Sequence, residues 1–136
     1  MAVEITGTYT GGLKLTLHHG PSGMEITTAA PVDNHGDGSS FSPTDLCAAS
    51  LGACMVTVMG IVAERDGIAF DGVTFRLEKH MRADPRRIDA IPVTIQMPAG
   101  LTPEQRSKLE HTARTCPVHR SLLPEITREV QFVYPD

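Results

Sequence analysis

The stretch "FSPTDLCAASLGACMVTVMGIVAERDGI", residues 41–68, decides the fold because it predicts one long apolar helix in a chain otherwise rich in strand-forming segments. Ser42 is a favourable N-cap residue, and Pro43 suits the first helical position, where no N–H is needed. Asp45 then places a carboxylate at the positive end of the helix dipole. We therefore expect a helix from about Pro43 to Asp66.

No charged side chain lies between Leu46 and Ala63, so the helix is long enough and apolar enough to span a membrane. The run is nevertheless interrupted by small or polar residues, which are Ser50, Gly52, Thr57 and Gly60. Small residues let another backbone approach closely. We expect a buried central helix without a membrane span, and its small residues suit packing against its own copy in a homodimer.

Segments that favour strands flank the helix on both sides. Residues 3–28 contain three short β-favouring runs separated by glycine-rich turns, which predicts a meander. Residues 68–81 and 90–97 alternate apolar and polar side chains, as half-buried strands do. The charged segment "RADPRRID", 82–89, is expected to be a hairpin connection between them.

A second helix is predicted to follow Thr102, which has the sequence of an N-cap with Pro103 after it and Gln105 three positions on. A last strand closes the chain. The expected order is βββ-α-ββ-α-β, which indicates an α+β fold with mostly antiparallel sheets. The 136 residues fit a single domain, 1–136.

Composition excludes some classes of function. The net charge is -4 and only 4% of residues are aromatic, so neither a basic footprint nor base-stacking side chains indicate nucleic-acid binding. The first residues lack the basic and apolar regions of a secretory signal, so we expect a cytoplasmic protein. In that reducing compartment, three cysteines are expected to be free or catalytic thiols.

Two of the cysteines lie on the predicted central helix. Cys47 and Cys54 are seven residues apart, so they share a helix face but are separated by a rise of about 10.5 Å, too far for a disulfide. We expect Cys47 to act as a small hydrophobic residue. Cys54 alone would be interpreted in the same way, since free cysteines are commonly buried.

Cys116, in "TCPVHRSL", residues 115–122, has a more reactive local setting. Pro117 can start a short helix, which would place the sulfur near unpaired N–H groups, and His119 and Arg120 could add positive charge. The local sequence therefore allows either a reactive thiol or an inert loop cysteine. A metal site built on Cys116, His119 and Cys54 is a further alternative, but the usual four-ligand spacings are missing, and we expect no metal and no cofactor.

The two quoted segments together resemble the OsmC/Ohr family of thiol-dependent hydroperoxide reductases, the osmotically inducible and organic hydroperoxide resistance proteins. The resemblance covers nearly the whole chain and implies an OsmC-like fold in an intertwined homodimer with active sites at the subunit interface. It also implies that Cys54 is the peroxidatic residue and Cys116 the resolving one, with an organic hydroperoxide as substrate and an external thiol as reductant. Leu51 and Met55 would then line an apolar pocket.

The sequence departs from the family pattern at two activating positions. Better-studied members have a Glu after the proline that opens the helix and an Arg in the N-terminal strands, whereas this chain has Thr44 there and no Arg before Arg65. Asp45 lies about 100° further around the helix and cannot simply replace the Glu. The candidates to supply a positive charge are Lys14, His18, His19 and Arg120.

Two hypotheses about function follow. The first is a cysteine-based peroxidase, an oxidoreductase in oxidative-stress defence that works through the Cys54–Cys116 redox pair. The alternative is a binding or redox-sensing protein that holds a small hydrophobic ligand in the dimer-interface pocket without peroxidase turnover. Retention of both cysteines favours the first, and loss of the Glu and Arg favours the second.

Overall fold

The computed structural model describes all 136 residues, and the chain divides into two compact units, Met1–Cys47 and Ala48–Asp136. The expected α+β class is confirmed. The strands are β1 (Ile5–Gly11), β2 (Lys14–His19), β3 (Glu25–Ala29), β4 (Thr74–Leu77), β5 (His80–Ala83), β6 (Arg86–Ala90), β7 (Val93–Gln96) and β8 (Val130–Val133). The helices are α1 (Pro43–Arg65), α2 (Pro103–Arg114) and α3 (Pro117–Ser121).

The first unit contains the predicted meander, in which β2 pairs antiparallel with both β1 and β3. Alternation along the strands separates an apolar face from a polar one. The apolar face carries Ile5, Tyr9, Leu15, Leu17 and Ile26. His18 lies opposite Thr6 and Glu25 on the polar face, whereas His19 lies opposite Ile5, so the two histidines point to opposite faces as expected.

Much of the apolar face of the meander is exposed in the single chain. Ile5 is 62% exposed, Tyr9 61% and Ile26 47%. A three-stranded sheet gains stability from burying one face. The apolar face of the meander is therefore only partly buried in the single chain.

The long helix α1 ends one residue before the predicted terminus, and its start is fixed by a reciprocal cap. The Ser42 hydroxyl accepts a hydrogen bond from the Asp45 N–H at 3.1 Å, and the Asp45 carboxylate accepts one from the Ser42 N–H at 2.9 Å. This arrangement satisfies two backbone donors of the first turn. Asp45 is thus engaged in capping the helix.

One side of α1 is buried. The buried residues on this side are Ala48, Leu51, Gly52, Met55, Met59, Val62 and Ala63. The other side is open to solvent at Ala53 and Thr57, and at Ile61, which is 61% exposed. α1 is also long enough and apolar enough to cross a membrane by length and composition alone, a test that the core helices of soluble proteins pass as well. The central helix is therefore buried along one side of its length.

The second unit has more strands than the sequence predicts. β4, β7 and β8 form one sheet, in which β7 pairs antiparallel with β4 and parallel with β8. The charged segment expected to be a hairpin connection does form a hairpin, but most of its residues are themselves paired in strands β5 and β6, with Met81 opposite Ile88 and Arg82 opposite Arg87. Only Ile88 is buried there, so the charged outer face hides the strand pattern in the sequence.

The two helices that follow β7 begin where the sequence predicts. The Thr102 hydroxyl accepts a hydrogen bond from the Gln105 N–H at 3.1 Å, and the Gln105 side chain accepts one from the Thr102 N–H at 2.9 Å, which completes the predicted capping box of α2. α3 begins at Pro117, directly after Cys116, as the proline predicts. These residues fix the N-terminal ends of α2 and α3.

Gly52 is the point of closest approach between α1 and β4. A Cβ atom built there would lie 2.3 Å from Cε1 of Phe75. We therefore expect Gly52→Ala to lower the free energy of unfolding by about 1–3 kcal/mol, because the ring must move. Urea unfolding followed by circular dichroism measures the change.

Gly60→Ala is the matched control on the same helix. A Cβ at Gly60 would lie 3.7 Å from the Phe70 ring, an ordinary van der Waals contact. Because alanine favours helix over glycine by about 0.5–1 kcal/mol, this variant should be at least as stable as the parent. Equal destabilisation by both substitutions would contradict the close contact at Gly52.

Candidate functional site

The two cysteines that the sequence singles out lie on different elements of the second unit. Cys54 is on α1, at the border between its buried and open sides, and is half-buried. Cys116 is the residue directly before α3 and is 1% exposed. The two thiols therefore differ in access to solvent.

The fold brings these two thiols together. The Cys54 side chain is hydrogen-bonded to that of Cys116, although 62 residues separate them in the sequence. All three cysteines of the chain are free thiols, so the pair is in its reduced form. The contact is the geometry from which an intramolecular disulfide can form.

Cys116 is held in place as the N-cap of α3. The His119 N–H donates a hydrogen bond to the Cys116 sulfur at 3.3 Å, and the Arg120 N–H donates one to the Cys116 carbonyl at 3.1 Å. Pro117, at the first helical position, has no N–H to satisfy. The sulfur thus takes the place of the side-chain oxygen that usually caps a helix.

Burial raises the pKa of the Cys116 thiol, against the opposing hydrogen bond from the His119 backbone, and the hydrogen bond with Cys54 raises it further. Desolvation therefore outweighs the stabilisation that the N-terminus of α3 gives to a thiolate at Cys116. The local sequence allows either a reactive thiol or an inert loop cysteine at Cys116. The raised pKa argues against a Cys116 thiol that is ionised in the resting protein. Cys116 is a protonated thiol in the reduced protein.

His119 does not supply the positive charge suggested by the sequence. Burial lowers the pKa of its imidazole, and the nearby Arg128 guanidinium lowers it further, so the ring is neutral at neutral pH. Its Nδ1 atom is buried and has no hydrogen-bond partner in the chain. Arg128 Nη1 donates a hydrogen bond to the His119 carbonyl at 2.6 Å.

Arg128 is a residue of this site that the sequence does not indicate. It stands two residues before β8, in no recognisable motif, and its contact with α3 arises only in the folded chain. No group of three His, Cys, Asp or Glu side chains is placed to hold a metal ion. Cys47 is half-buried on α1, two turns before Cys54.

The candidate cations of the N-terminal strands already have acceptors within the first unit. Lys14 pairs with Asp37 at 2.9 Å, and its hydrogen bond is the main cause that lowers the pKa of Asp37 to about 2. His18 lies 3.6 Å from the Glu25 carboxylate. His19 Nδ1 is 2.6 Å from the Ser22 hydroxyl. Arg120 is exposed on α3.

The fold agrees with comparisons with known proteins. The sequence profile of the OsmC-like protein family matches residues 36–131, and the chain belongs to this family. A search of curated proteins finds no match.

Solved structures share the fold over almost the whole chain. A Psychrobacter arcticus protein provisionally assigned to osmotic stress induction and detoxification response is 41% identical, with a TM-score of 0.91 over 95% of this chain and 94% of that chain. An organic hydroperoxide resistance protein from Elizabethkingia anophelis is 18% identical, with a TM-score of 0.74 over 98% of this chain and 96% of that chain.

A third similar structure is the Legionella pneumophila organic hydroperoxide resistance protein OsmC, described as a predicted redox protein. It is 19% identical, with a TM-score of 0.72 over 97% of this chain and 96% of that chain. At these lower identities the likeness shows the fold alone. Family membership therefore rests on the profile match and on the 41% identical Psychrobacter arcticus structure.

The difference in burial predicts the order in which thiol reagents modify the cysteines. At pH 7.5 we expect iodoacetamide to label Cys54 at least about tenfold faster than Cys116, because Cys116 is buried and protonated. Peptide mass spectrometry on quenched samples measures both rates. Equal labelling in urea is the control, and equal labelling in the folded protein would contradict the buried position of Cys116.

The raised pKa of Cys116 also predicts a pH dependence of stability. The unfolded chain loses this proton near pH 8.5, before the folded reduced protein does, so stability is fully present below that pH and falls as the pH rises above it. Urea unfolding between pH 7 and 10 measures this effect. The free energy of unfolding should fall less steeply with pH in Cys116→Ser than in Cys47→Ser. Identical slopes in the two variants would contradict the shift.

Proposed function

We propose that the protein is a cysteine-based hydroperoxide reductase that acts on organic hydroperoxides through the Cys54–Cys116 pair. The observation that carries the proposal is the hydrogen bond between two free thiols on different elements of an OsmC-like fold. Nothing in this chemistry requires a metal or an organic cofactor.

The proposed reaction has three steps. The Cys54 thiolate attacks the terminal oxygen of the hydroperoxide, the O–O bond breaks, and the product alcohol leaves with a proton while Cys54 becomes a sulfenic acid. The Cys116 sulfur attacks the Cys54 sulfur, water leaves, and a disulfide forms. Two external thiols then reduce the disulfide and are themselves joined as a disulfide.

The difference between the two thiols supports this order of events. Cys54 is half-buried and is accessible from the open side of α1, whereas Cys116 is 1% exposed. A hydroperoxide meets the accessible sulfur first. The buried and protonated Cys116 is suited to act second, on a sulfur that it already contacts.

A preference for an organic hydroperoxide over hydrogen peroxide is what the family resemblance implies. Leu51 and Met55, which the resemblance places in the pocket, are fully buried and have no exposed surface of their own in the single chain. An open groove of mixed polar and apolar lining begins at Thr57, one turn of α1 after Cys54. Its lining consists of Thr57, Gly60, Ile61, Glu64, Ile68, Ala69, Phe70 and Asp71.

We further propose that the working unit is a homodimer in the cytoplasm. The apolar face of the meander is largely exposed in one chain, with Ile5 at 62% and Tyr9 at 61%. Exposed apolar surface of this kind marks a protein interface. A second copy of the chain is the cover that the family implies.

The second candidate function is a binding or redox-sensing protein without peroxidase turnover. The observation that favours it is the pairing of Lys14 with Asp37 and of His18 with Glu25, which leaves the family's activating cation without an obvious replacement. A thiol that lacks a fixed cation is a slow nucleophile. Turnover measurements separate the two functions.

The proposal predicts thiol oxidation by cumene hydroperoxide. In the reduced protein we expect loss of two thiols per chain within seconds and a Cys54–Cys116 disulfide in peptide mass spectrometry, because the sulfurs are already in contact. Cys54→Ser should abolish turnover with dithiothreitol as reductant. Cys116→Ser should stop at a sulfenic acid on Cys54 that dimedone traps.

Cys47→Ser is the matched control, since Cys47 lies on the same helix and should leave turnover unchanged. Retention of full activity by Cys54→Ser would show that the roles are wrongly assigned. Thiols that stay reduced for many minutes in the parent protein would instead favour the binding or sensing function.

A further inference from the structure

We propose that Arg128 is a positioning residue that holds α3, and with it Cys116, where the Cys116 sulfur can close the disulfide with Cys54. The inference rests on the proposed redox pair and concerns only the closing step. Arg128 does not touch either sulfur. It acts through the helix that carries Cys116.

Arg128 connects α3 to a rigid part of the second unit. It precedes β8, which pairs residue by residue with β7 from Val93 opposite Val130 to Gln96 opposite Val133. Its half-buried side chain reaches back to α3, where Nη1 donates the 2.6 Å hydrogen bond to the His119 carbonyl. A hydrogen bond from a charged donor at this distance is among the stronger kinds in proteins.

α3 needs such support because it has only five residues. A helix of this length is not stable by itself, and its carbonyl groups at the C-terminal end have no partners within the helix. Arg128 satisfies one of them. The same residue, His119, is therefore held through its N–H by the Cys116 sulfur and through its carbonyl by Arg128.

Disulfide closure is the step most sensitive to this arrangement. In that step the Cys116 sulfur attacks the Cys54 sulfenic acid, the S–O bond breaks, and the oxygen leaves as water with the thiol proton. The attack requires close approach of the two sulfurs, and a misplacement of about 1 Å can cost about 100-fold in rate. Attack of hydroperoxide on Cys54 forms no bond to Cys116 and does not require the two sulfurs to close on each other.

The test separates these two steps. Arg128→Ala is compared with Arg128→Met, which retains the aliphatic stem but not the guanidinium, and with Arg114→Ala as control. Arg114 pairs with Glu110 at 3.5 Å and lies over the Phe132 ring, 5.0 Å from its centroid. Disulfide closure is followed by mass spectrometry after quenching, once with cumene hydroperoxide and once with diamide, a thiol oxidant that does not depend on peroxidase chemistry.

With either oxidant, we expect the Arg128 variants to close the disulfide about tenfold or more slowly than the parent, with Arg114→Ala unchanged. With peroxide, sulfenic acid on Cys54 should form at the parental rate and accumulate. If one Arg128 variant does not fold, the other decides. Closure at the parental rate, or equal slowing in Arg114→Ala, would overturn the inference.

The same experiment keeps the two proposals apart. If peroxide does not oxidise Cys54 in the parent protein but diamide closes the disulfide in a manner that depends on Arg128, the peroxidase proposal fails and the positioning role stands. If peroxide oxidises the pair normally in all variants, the positioning role fails and the peroxidase proposal stands.

Discussion

The contact between the Cys54 and Cys116 thiols is the interaction on which the rest of the site depends. It forms because α1 buries one side of its length within the second unit and α3 begins at the residue after Cys116. Neither element defines a site alone. α1 places the Cys54 sulfur at the border between its buried and open sides, and the start of α3 holds the buried Cys116 sulfur.

Burial and backbone geometry give the two sulfurs different properties within a single site. A half-buried thiol can meet an external molecule, whereas a thiol that is 1% exposed can react only with what the fold brings to it. The backbone N–H of His119 holds the Cys116 sulfur in a defined place without ionising it, because desolvation outweighs that hydrogen bond. Burial therefore distinguishes the two thiols.

Much of the fold follows from local rules that the sequence displays. The caps at Ser42 and Thr102 and the proline after Cys116 act over a few residues, so the starts of all three helices are predictable. The two strands of the hairpin around Arg82 were not predicted, because like charges face each other on its outer side and hide the alternation. The register of a strand pair becomes visible only after folding.

The site was predictable only through family resemblance, because local chemistry left Cys54 ambiguous. No spacing rule reports a contact between residues 54 and 116. The role of Arg128 has no signal in the sequence, since its hydrogen bond goes to a backbone carbonyl, a group that every residue possesses. A hydrogen bond to a backbone carbonyl does not depend on the type of the accepting residue. No sequence motif therefore indicates such a contact.

The amphipathic meander has a consequence for how the chain reaches its native state. A small sheet with one exposed apolar face is marginal by itself, so a partner surface that covered this face would stabilise the first unit. If that surface belongs to a second copy, stability follows mass action and rises with protein concentration. Dilution would then weaken the protein in the same way as a mild denaturant.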